Sequence, residues 1–525
     1  MTQRTVIVGA TIVDGTGGPR RDADVLITDE KIRAVEPPGH LDRADARRVD
    51  GTGLVVSPGF IDIHSHADGS FLLEDDTSKI LQGVTTEIVG NCGASLAPIS
   101  PAFHPTAQRL LGGAARPQWQ SVDEWFDAVR DRNVTHVGML VGHGNLRELV
   151  VGAADVPVEG HHLARMRAAL ARGLEAGALG FSSGLVYAPG AYAGRDELQG
   201  LLAALDHEHV YATHLRNEAD ALLASVDEAL DTAATSRARL QISHLKATGR
   251  RNHGRVQEAL RRLDRARADG QRVRQDVYPY TAASTALTAC LPPWALAGGP
   301  IALLARLDDM TQVERLRREV ESPPPHAWEN PAANAGWDGL VLAGTASGQD
   351  VGLSLSDIAA REQCSPFDGL VMVLRREQAR ASMVEHSMLE ADVETVLQHP
   401  ETIVASDGLP ITAGDHPHPR LHGTFARLLS RYVRERGVLD LETAVHRVTG
   451  LPAETFGLHD RGTISPGSVA DLVAFDPTTV ADRATYDHPT RPPSGIAWVM
   501  QCGRTSVDSG RWLGRRRGQL LRPQP

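Results

Sequence analysis

The 525-residue chain has only four cysteines, at positions 92, 290, 364 and 502. They are too few and too scattered for a disulfide framework, which fits a reducing cytoplasm. Long hydrophobic runs are missing too: nowhere do about 18 apolar residues follow one another, so no membrane-spanning helix is expected. The N-terminal stretch MTQRTVIVGATIVDG has no charged segment leading into an apolar one, so no secretory leader is expected and a soluble cytoplasmic protein is. Positive charge is in deficit, with 54 Lys and Arg against 65 Asp and Glu, a net charge of -11 and a pI near 6.1. A nucleic-acid binder would carry a basic stripe, so the expected partner is a small molecule. Lysine is scarce in a particular place: Lys79 is the only one between residues 32 and 245. Glycine is plentiful, at 50 residues, and sits largely at turns between apolar runs, as a fold with many short loops requires.

The most informative stretch is FIDIHSH, residues 60–66. Alternate residues of a strand share a face, so His64 and His66 point the same way and can hold one metal ion at the strand's end. An isolated His-x-His is equally a polar pair in a surface turn. Here the preceding SPGFID is a short apolar run after a Pro-Gly turn, the pattern of a buried strand, and Asp62 shares the face as a partner that could orient a ligand.

Residues 1–56 read as short strands broken by Gly, Pro and Asp clusters, and residues 451–525 repeat that texture in GTISPGSVADLVAFDP and GIAWVMQCGRTSVDSGRWL. Periodicity allows two separate β units or one unit built from both ends. The Arg-rich tail RRRGQLLRPQP reads as a solvated terminus. Between the ends, at 57–450, eight apolar runs qualify as strands: FIDIHSH, TTEIVGN, HVGMLVGHG, ALGFSSG, VYATHLR, LQISHLK, VRQDVYPY and IVASDG. Helical patterns separate most of them, and three steps recur at one βα unit: 28 residues from His64 to Cys92, 30 from His214 to His244, and 32 from His244 to Asp276. That alternation predicts an α/β chain with eight parallel strands closed into a TIM (β/α)8 barrel. One long gap interrupts it, read as an inserted subdomain at about 286–350 and a helical return (SLSDIAAREQ, SPFDGLVMVLRREQ) to the last strand.

Chemistry in a TIM barrel sits at the C-terminal ends of the strands. Strand one ends with His64 and His66, strand two runs into Cys92, strand five carries His214, strand six His244 and strand eight Asp407. Taken singly, a strand histidine is usually a hydrogen-bonded structural residue and a buried cysteine a small hydrophobe. Arriving together at one mouth, nitrogen, thiolate and carboxylate donors suit zinc.

Beyond these residues, the ordered segments SPGFIDIHSH, GVTTEIVGNCG, GALGFSSGLVYAPG, YATHLRNE, QISHLK, YPYTAAST, ASDG with HPR downstream, and GTISPGSVADLVAFDP resemble the N-acyl-D-amino-acid deacylases, the D-aminoacylase family of the amidohydrolase superfamily. The resemblance covers nearly the whole chain. It implies one small β domain made from both termini and hydrolysis of N-acyl-D-amino acids to a carboxylate and a free D-amino acid. It also implies that Cys92, His214 and His244 hold a tightly bound zinc, while His64, His66 and Asp407 form a weaker second position. No lysine lies on strands one to four, and Lys79 is expected on a helix, so the lysine bridge of hydantoinase-type relatives has no candidate. His422 and Ala426 depart from the family's Tyr and Pro near Arg420.

On this reading Asp407, an otherwise unpaired carboxylate, is the proton shuttle. The substrate's carboxylate needs a cation, for which Arg420 on the loop after strand eight and Lys246, two residues beyond His244, are the candidates. Tyr187, Tyr280 and Ser284 are candidate hydroxyl donors. Arg216 and Glu218 share His214's face and either orient ligands or pair with each other. His143 is expected to bond within its own turn, and Cys290, Cys364 and Cys502 to pack without ligand partners. The alternatives are a cyclic-amide hydrolase of the dihydroorotase or hydantoinase kind, a catalytically silent relative acting as an interaction protein, and a metal-storage protein.

Overall fold

The computed structural model describes residues 3–41, 45–73, 76–100, 117–323, 328–409 and 414–523. Its centre is a sheet of eight parallel strands: β1 (Phe60–Asp62), β2 (Val84–Val89), β3 (His136–Gly142), β4 (Gly180–Gly184), β5 (Val210–His214), β6 (Arg239–Ile242), β7 (Val273–Val277) and β8 (Thr402–Val404). Each neighbours the next in order, with β7 beside β8. Nearly every strand residue is buried, as in a parallel sheet covered on both faces. The ends of β1 and β8 meet through a bridge between Ser65 and Gly408 and the bonds Asp407 N to His64 O (2.7 Å) and His66 N to Gly408 O (2.9 Å), which close the barrel.

A nine-stranded sheet draws on both ends of the chain. Val55–Pro58 pairs antiparallel with Leu472–Phe475, joining the N-terminal strands Arg4–Ile12, Arg21–Thr28 and Lys31–Glu36 to Ile496–Gln501 and Arg504–Asp508. Not all of the C-terminal segment belongs to it. Leu451, Ala453, Phe456, Leu458 and Leu521 pack with Ile61, Ile88 and Leu140 in the barrel's own core. The Arg-rich tail is therefore docked, not frayed: Leu521 N bonds Val137 O (2.8 Å), Gln519 N bonds His136 Nδ1 (2.9 Å), and the Arg516 guanidinium reaches the carbonyls of Arg132 (2.7 Å) and Leu73 (2.9 Å).

The insertion between β7 and β8 has a core of its own, in which Leu287, Leu303, Leu316 and Leu342 pack with Phe367 and Met383. A three-stranded antiparallel sheet of Ala283–Ala286, Leu340–Gly344 and Ser382–Glu385 joins it to the barrel mouth. The helices Leu355–Glu362 and Pro366–Arg376, started by Ser354 and Ser365 side chains that accept from Asp357 N and Asp368 N, belong to this core instead of leading straight back to the last strand. Among the described residues no helix is long and apolar enough to cross a membrane.

Candidate active site

The donor residues converge because the backbone turns sharply where the strands end. Cys92, His244 and Asp407 all have positive φ, at 52°, 35° and 49°, a region that residues with a Cβ seldom occupy. Three such residues around one point mark strain held by its surroundings. A Cβ on Gly184 would overlap the carbonyl of Cys92, so glycine at the end of β4 is what lets that turn close.

Four of the residues form one buried cluster. His64, Cys92, His244 and Asp407 each offer an atom within 4.8 Å of the others'. His64 Nε2 lies 3.2 Å from Cys92 Sγ and 3.4 Å from Asp407 Oδ1, and Cys92 Sγ lies 3.6 Å from His244 Nε2. The donors around a tetrahedral zinc are separated by about 3.3 to 3.6 Å, given Zn–N and Zn–S bonds of about 2.0 and 2.3 Å. The cluster fits that ion in donor type and in spacing. His66 Nε2 is 3.2 Å from Asp407 Oδ1, and His214 packs edge-on to the His244 ring at 4.3 Å. The Nδ1 atoms of His66 and His214 are buried without a hydrogen-bond partner, as nitrogens kept for a metal would be.

Carboxylates behind the cluster aim the rings. Asp276 Oδ1 stands 3.1 Å from His64 Nδ1 and accepts from the His244 backbone N–H at 2.8 Å. Glu218 Oε1 is 3.0 Å from His244 Nδ1, and its Oε2 lies 3.4 Å from His214 Nε2 and pairs with the Lys246 ammonium. Such partners fix which ring nitrogen faces inward. Burial pushes the Cys92 thiol up, but the imidazoles of His64, His214 and His244 overcome it and hold the thiol well below its usual range. Burial likewise raises Asp407, and Arg420, His64 and His66 hold it well below the usual carboxylate range. Glu218 is held at about 2, burial opposing and Lys246 and His244 prevailing.

The cluster opens into a cavity of about 480 Å³ whose lining includes His66, Cys92, His214, His244 and Asp407 together with Tyr187, Lys246 and Ser284. The Tyr187 hydroxyl receives a bond from Thr285 Oγ1 at 3.1 Å. Arg420 lines a small adjoining cavity that shares Ser284, Leu409 and Asp415 with the large one. It opens the helix Arg420–Arg427 instead of lying in a loop. Its guanidinium pairs with Asp407 Oδ2 at 2.9 Å, donates to the Ser284 carbonyl at 3.2 Å and lies over the Tyr278 ring at 4.6 Å. Asp407 is therefore not an unpaired carboxylate.

Other expectations meet different partners. Tyr280 does not line the cavity: its ring packs under Arg427 and its hydroxyl faces the Pro419 carbonyl at 3.5 Å. Arg216 bonds Glu228 (2.9 Å), not Glu218. His143 reaches across to Glu197, at 2.8 Å, which also pairs with Arg147. Asp62 turns away from the imidazoles to Lys79 (2.5 Å) and Ser406. Lys79 precedes a single 3-10 turn, Ile80–Gln82, and is fully buried. Cys502 has neighbours able to ligate, His136 and Asp471, although these already bond each other at 3.2 Å. Asp276 orients the His64 imidazole and holds the His244 backbone from near the end of β7, and its one sequence signal is that position, one βα step after His244.

The profile of the Amidohydrolase family matches residues 47–236 and 325–507. An N-acyl-D-glutamate deacylase of Alcaligenes xylosoxydans xylosoxydans is 39% identical over 95% of this chain and 92% of its own length. A D-aminoacylase of the same organism is 35% identical over 98% and 97%. The chain belongs to the amidohydrolase family, in its D-aminoacylase branch. Among solved structures, an N-acyl-D-glutamate deacylase from Bordetella bronchiseptica, complexed with zinc and a phosphonate inhibitor that mimics the tetrahedral reaction intermediate, superposes with a TM-score of 0.84 at 36% identity, covering 99% of this chain and 100% of that one. This amidohydrolase thus shares a fold and most of its length with enzymes named for D-amino-acid deacylation.

Proposed function

We propose that this amidohydrolase hydrolyses the linear amide of N-acyl-D-amino acids, releasing a carboxylate and a free D-amino acid, in the cytoplasm. The observation that carries the reading is the spacing of His64, Cys92, His244 and Asp407, the last three lining a cavity that adjoins a buried arginine. His64, His66, Cys92, His214, His244 and Asp407 are the residues that would hold zinc, one ion tightly and a second more weakly. Zinc, when bound, supplies Lewis-acid polarisation of the amide carbonyl and activation of a water near neutral pH.

The protein's own groups do the rest. Asp407 takes the proton of the attacking water at Oδ1 and hands it to the leaving nitrogen, its other oxygen held by Arg420 so that the carboxylate cannot rotate away. Arg420, stacked on Tyr278 and bonded to the Ser284 carbonyl, grips the substrate's α-carboxylate with the N–H groups that Asp407 and Ser284 leave free. Tyr187 and Lys246, which also line the cavity, contact the substrate, with the Tyr187 ring set edge-on to His214 at 4.9 Å. Glu218 and Asp276 keep the imidazoles aimed throughout.

The reading is tested by offering zinc-reconstituted protein matched N-acetyl-D- and N-acetyl-L-amino acids together with dihydroorotate and hydantoin. Turnover confined to the D-series supports it. Ring opening of the cyclic amides without cleavage of linear ones refutes it.

A further inference from the structure

Resting on the deacylase reading, the remaining question is which side chain the substrate carries, and the cavity holds an observation that bears on it. Glu329 and Glu385 both line the cavity and are both buried, at 8% and 3% exposed. Glu385 ends the strand Ser382–Glu385 opposite Ala283, one residue before the Ser284 that Arg420 contacts. Its Oε1 is buried with no hydrogen-bond partner. Glu329 accepts from the Glu218 backbone N–H at 2.5 Å and approaches Thr248 Oγ1 at 3.4 Å.

Little positive charge balances them. Among the described residues that line the cavity, the side-chain cations other than histidine are Lys246 and Arg380. Lys246 already pairs with Glu218 and touches His244 Nδ1 at 2.8 Å. Arg380 is exposed at the edge. Burial, with Glu218 close by, pushes Glu329 up to about 8, and burial pushes Glu385 up to about 7. Among the described residues neither carboxyl forms an ion pair, and Lys246, which acts on both, is committed to Glu218, so an incoming cation or donor supplies what they need and an incoming anion adds to the deficit.

We propose that Glu385, with Glu329 beside it, forms a side-chain subsite that accepts N-acyl-D-amino acids whose side chain ends in a hydrogen-bond donor, cationic or amide, and turns away derivatives of D-glutamate and D-aspartate. The subsite lies within one strand residue of the Arg420 contact, where a side chain branching from the α-carbon would arrive. Specificity then comes as much from repulsion of the acidic side chain as from attraction of the other. The chain would differ in this from the N-acyl-D-glutamate deacylases it resembles.

The test is kcat/KM of the zinc-loaded enzyme for the N-acetyl derivatives of D-glutamine, D-lysine and D-glutamate, with D-glutamine and D-glutamate serving as near-isosteres, one neutral and one anionic. D-Glutamine and D-lysine derivatives are expected to exceed the D-glutamate derivative by at least about tenfold, the cost of one unpaired buried charge. Glu385→Gln should narrow the glutamine-to-glutamate ratio at least about threefold. Glu329→Gln provides a second variant should the first fold poorly. Thermal-shift binding of free D-lysine and free D-glutamate gives a readout independent of turnover, with stabilisation expected from D-lysine alone. A parent enzyme that favours the D-glutamate derivative, or a folded Glu385→Gln whose ratio does not move, overturns the subsite and leaves the deacylase reading standing. Failure to cleave any of the three derivatives removes the deacylase reading, and the subsite falls with it.

Discussion

Replacing Lys79 by Met should destabilise the whole barrel. The Lys79 ammonium bonds Asp62, at the end of β1, and Ser406 Oγ at 2.7 Å, just past β8, and lies 3.4 Å from Glu87 on β2. One buried cation thus ties the two strands that close the barrel to a third. Methionine keeps most of the stem's volume and leaves two buried carboxylates without a counter-ion. Asp62 would still accept from Ser406 N (3.0 Å) and Oγ (2.6 Å), and Glu87 from Ser65 (2.8 Å) and Thr135 (2.5 Å), so the loss should fall at the lower end of the roughly 3–5 kcal/mol for breaking a buried pair. Against a total stability of about 5–15 kcal/mol this is a large fraction. The sign with pH follows from Glu87. Its carboxyl is already raised by burial, with Lys79 the main group pulling it down. Removing Lys79 raises it further, so protonation relieves the variant as pH falls through that higher value. The urea midpoint of Lys79→Met should therefore lie well below the parent's at pH 8 and approach it toward pH 5. Lys79→Met with Asp62→Asn should be more stable than Lys79→Met alone, because one stranded charge is gone. A pH 8 midpoint equal to the parent's, or a deficit that does not shrink on acidification, would falsify the strut.

Three further outcomes are expected. Cys92→Ala should lose stoichiometric zinc by metal analysis and amide hydrolysis with it; full zinc and near-parent turnover would remove Cys92 from the donor set. Asp407→Asn should keep its tight zinc and lose about 10²- to 10⁴-fold in kcat, the usual worth of a general base, and turnover within about tenfold of the parent would send the search to another group. Arg420→Met should raise KM steeply for N-acyl-D-amino acids and much less for an uncharged amide analogue, with equal effects on the two counting against a grip on the carboxylate.

The barrel was legible because its eight strands fall in short segments of strand length set between helical patterns, and because His64, Cys92, His214, His244 and Asp407 all fall where those segments end. Periodicity tells which face a side chain takes and says nothing of its partner. Asp62 shares His64's alternation but bonds Lys79 from 17 positions away, while the bond that orients His64 comes from Asp276, 212 positions on. Arg216 and Glu218, alternate in sequence, diverge to Glu228 and to Lys246. The tail's composition read as solvated, yet its backbone pairs with β3 and the Arg516 guanidinium bonds the carbonyls of Arg132 and Leu73.

The left-handed turns at Cys92, His244 and Asp407 had no sequence signal, since none of the three is a glycine. Their energy must come from the tertiary structure. Asp407 N is bonded to His64 O and His244 N to Asp276 Oδ1, so two of the three strained turns are held by His64 or by the carboxylate beside its ring. Asp407 and His244 are thus set by the protein's own bonds to His64 and Asp276. A closed barrel whose first and last strands are pinned together behind the donors, by Lys79 on Asp62 and Ser406, is what keeps those turns from relaxing. The residue that holds the fold shut and the residues that would hold zinc are therefore parts of one network, and preorganisation of the site follows from closure of the sheet.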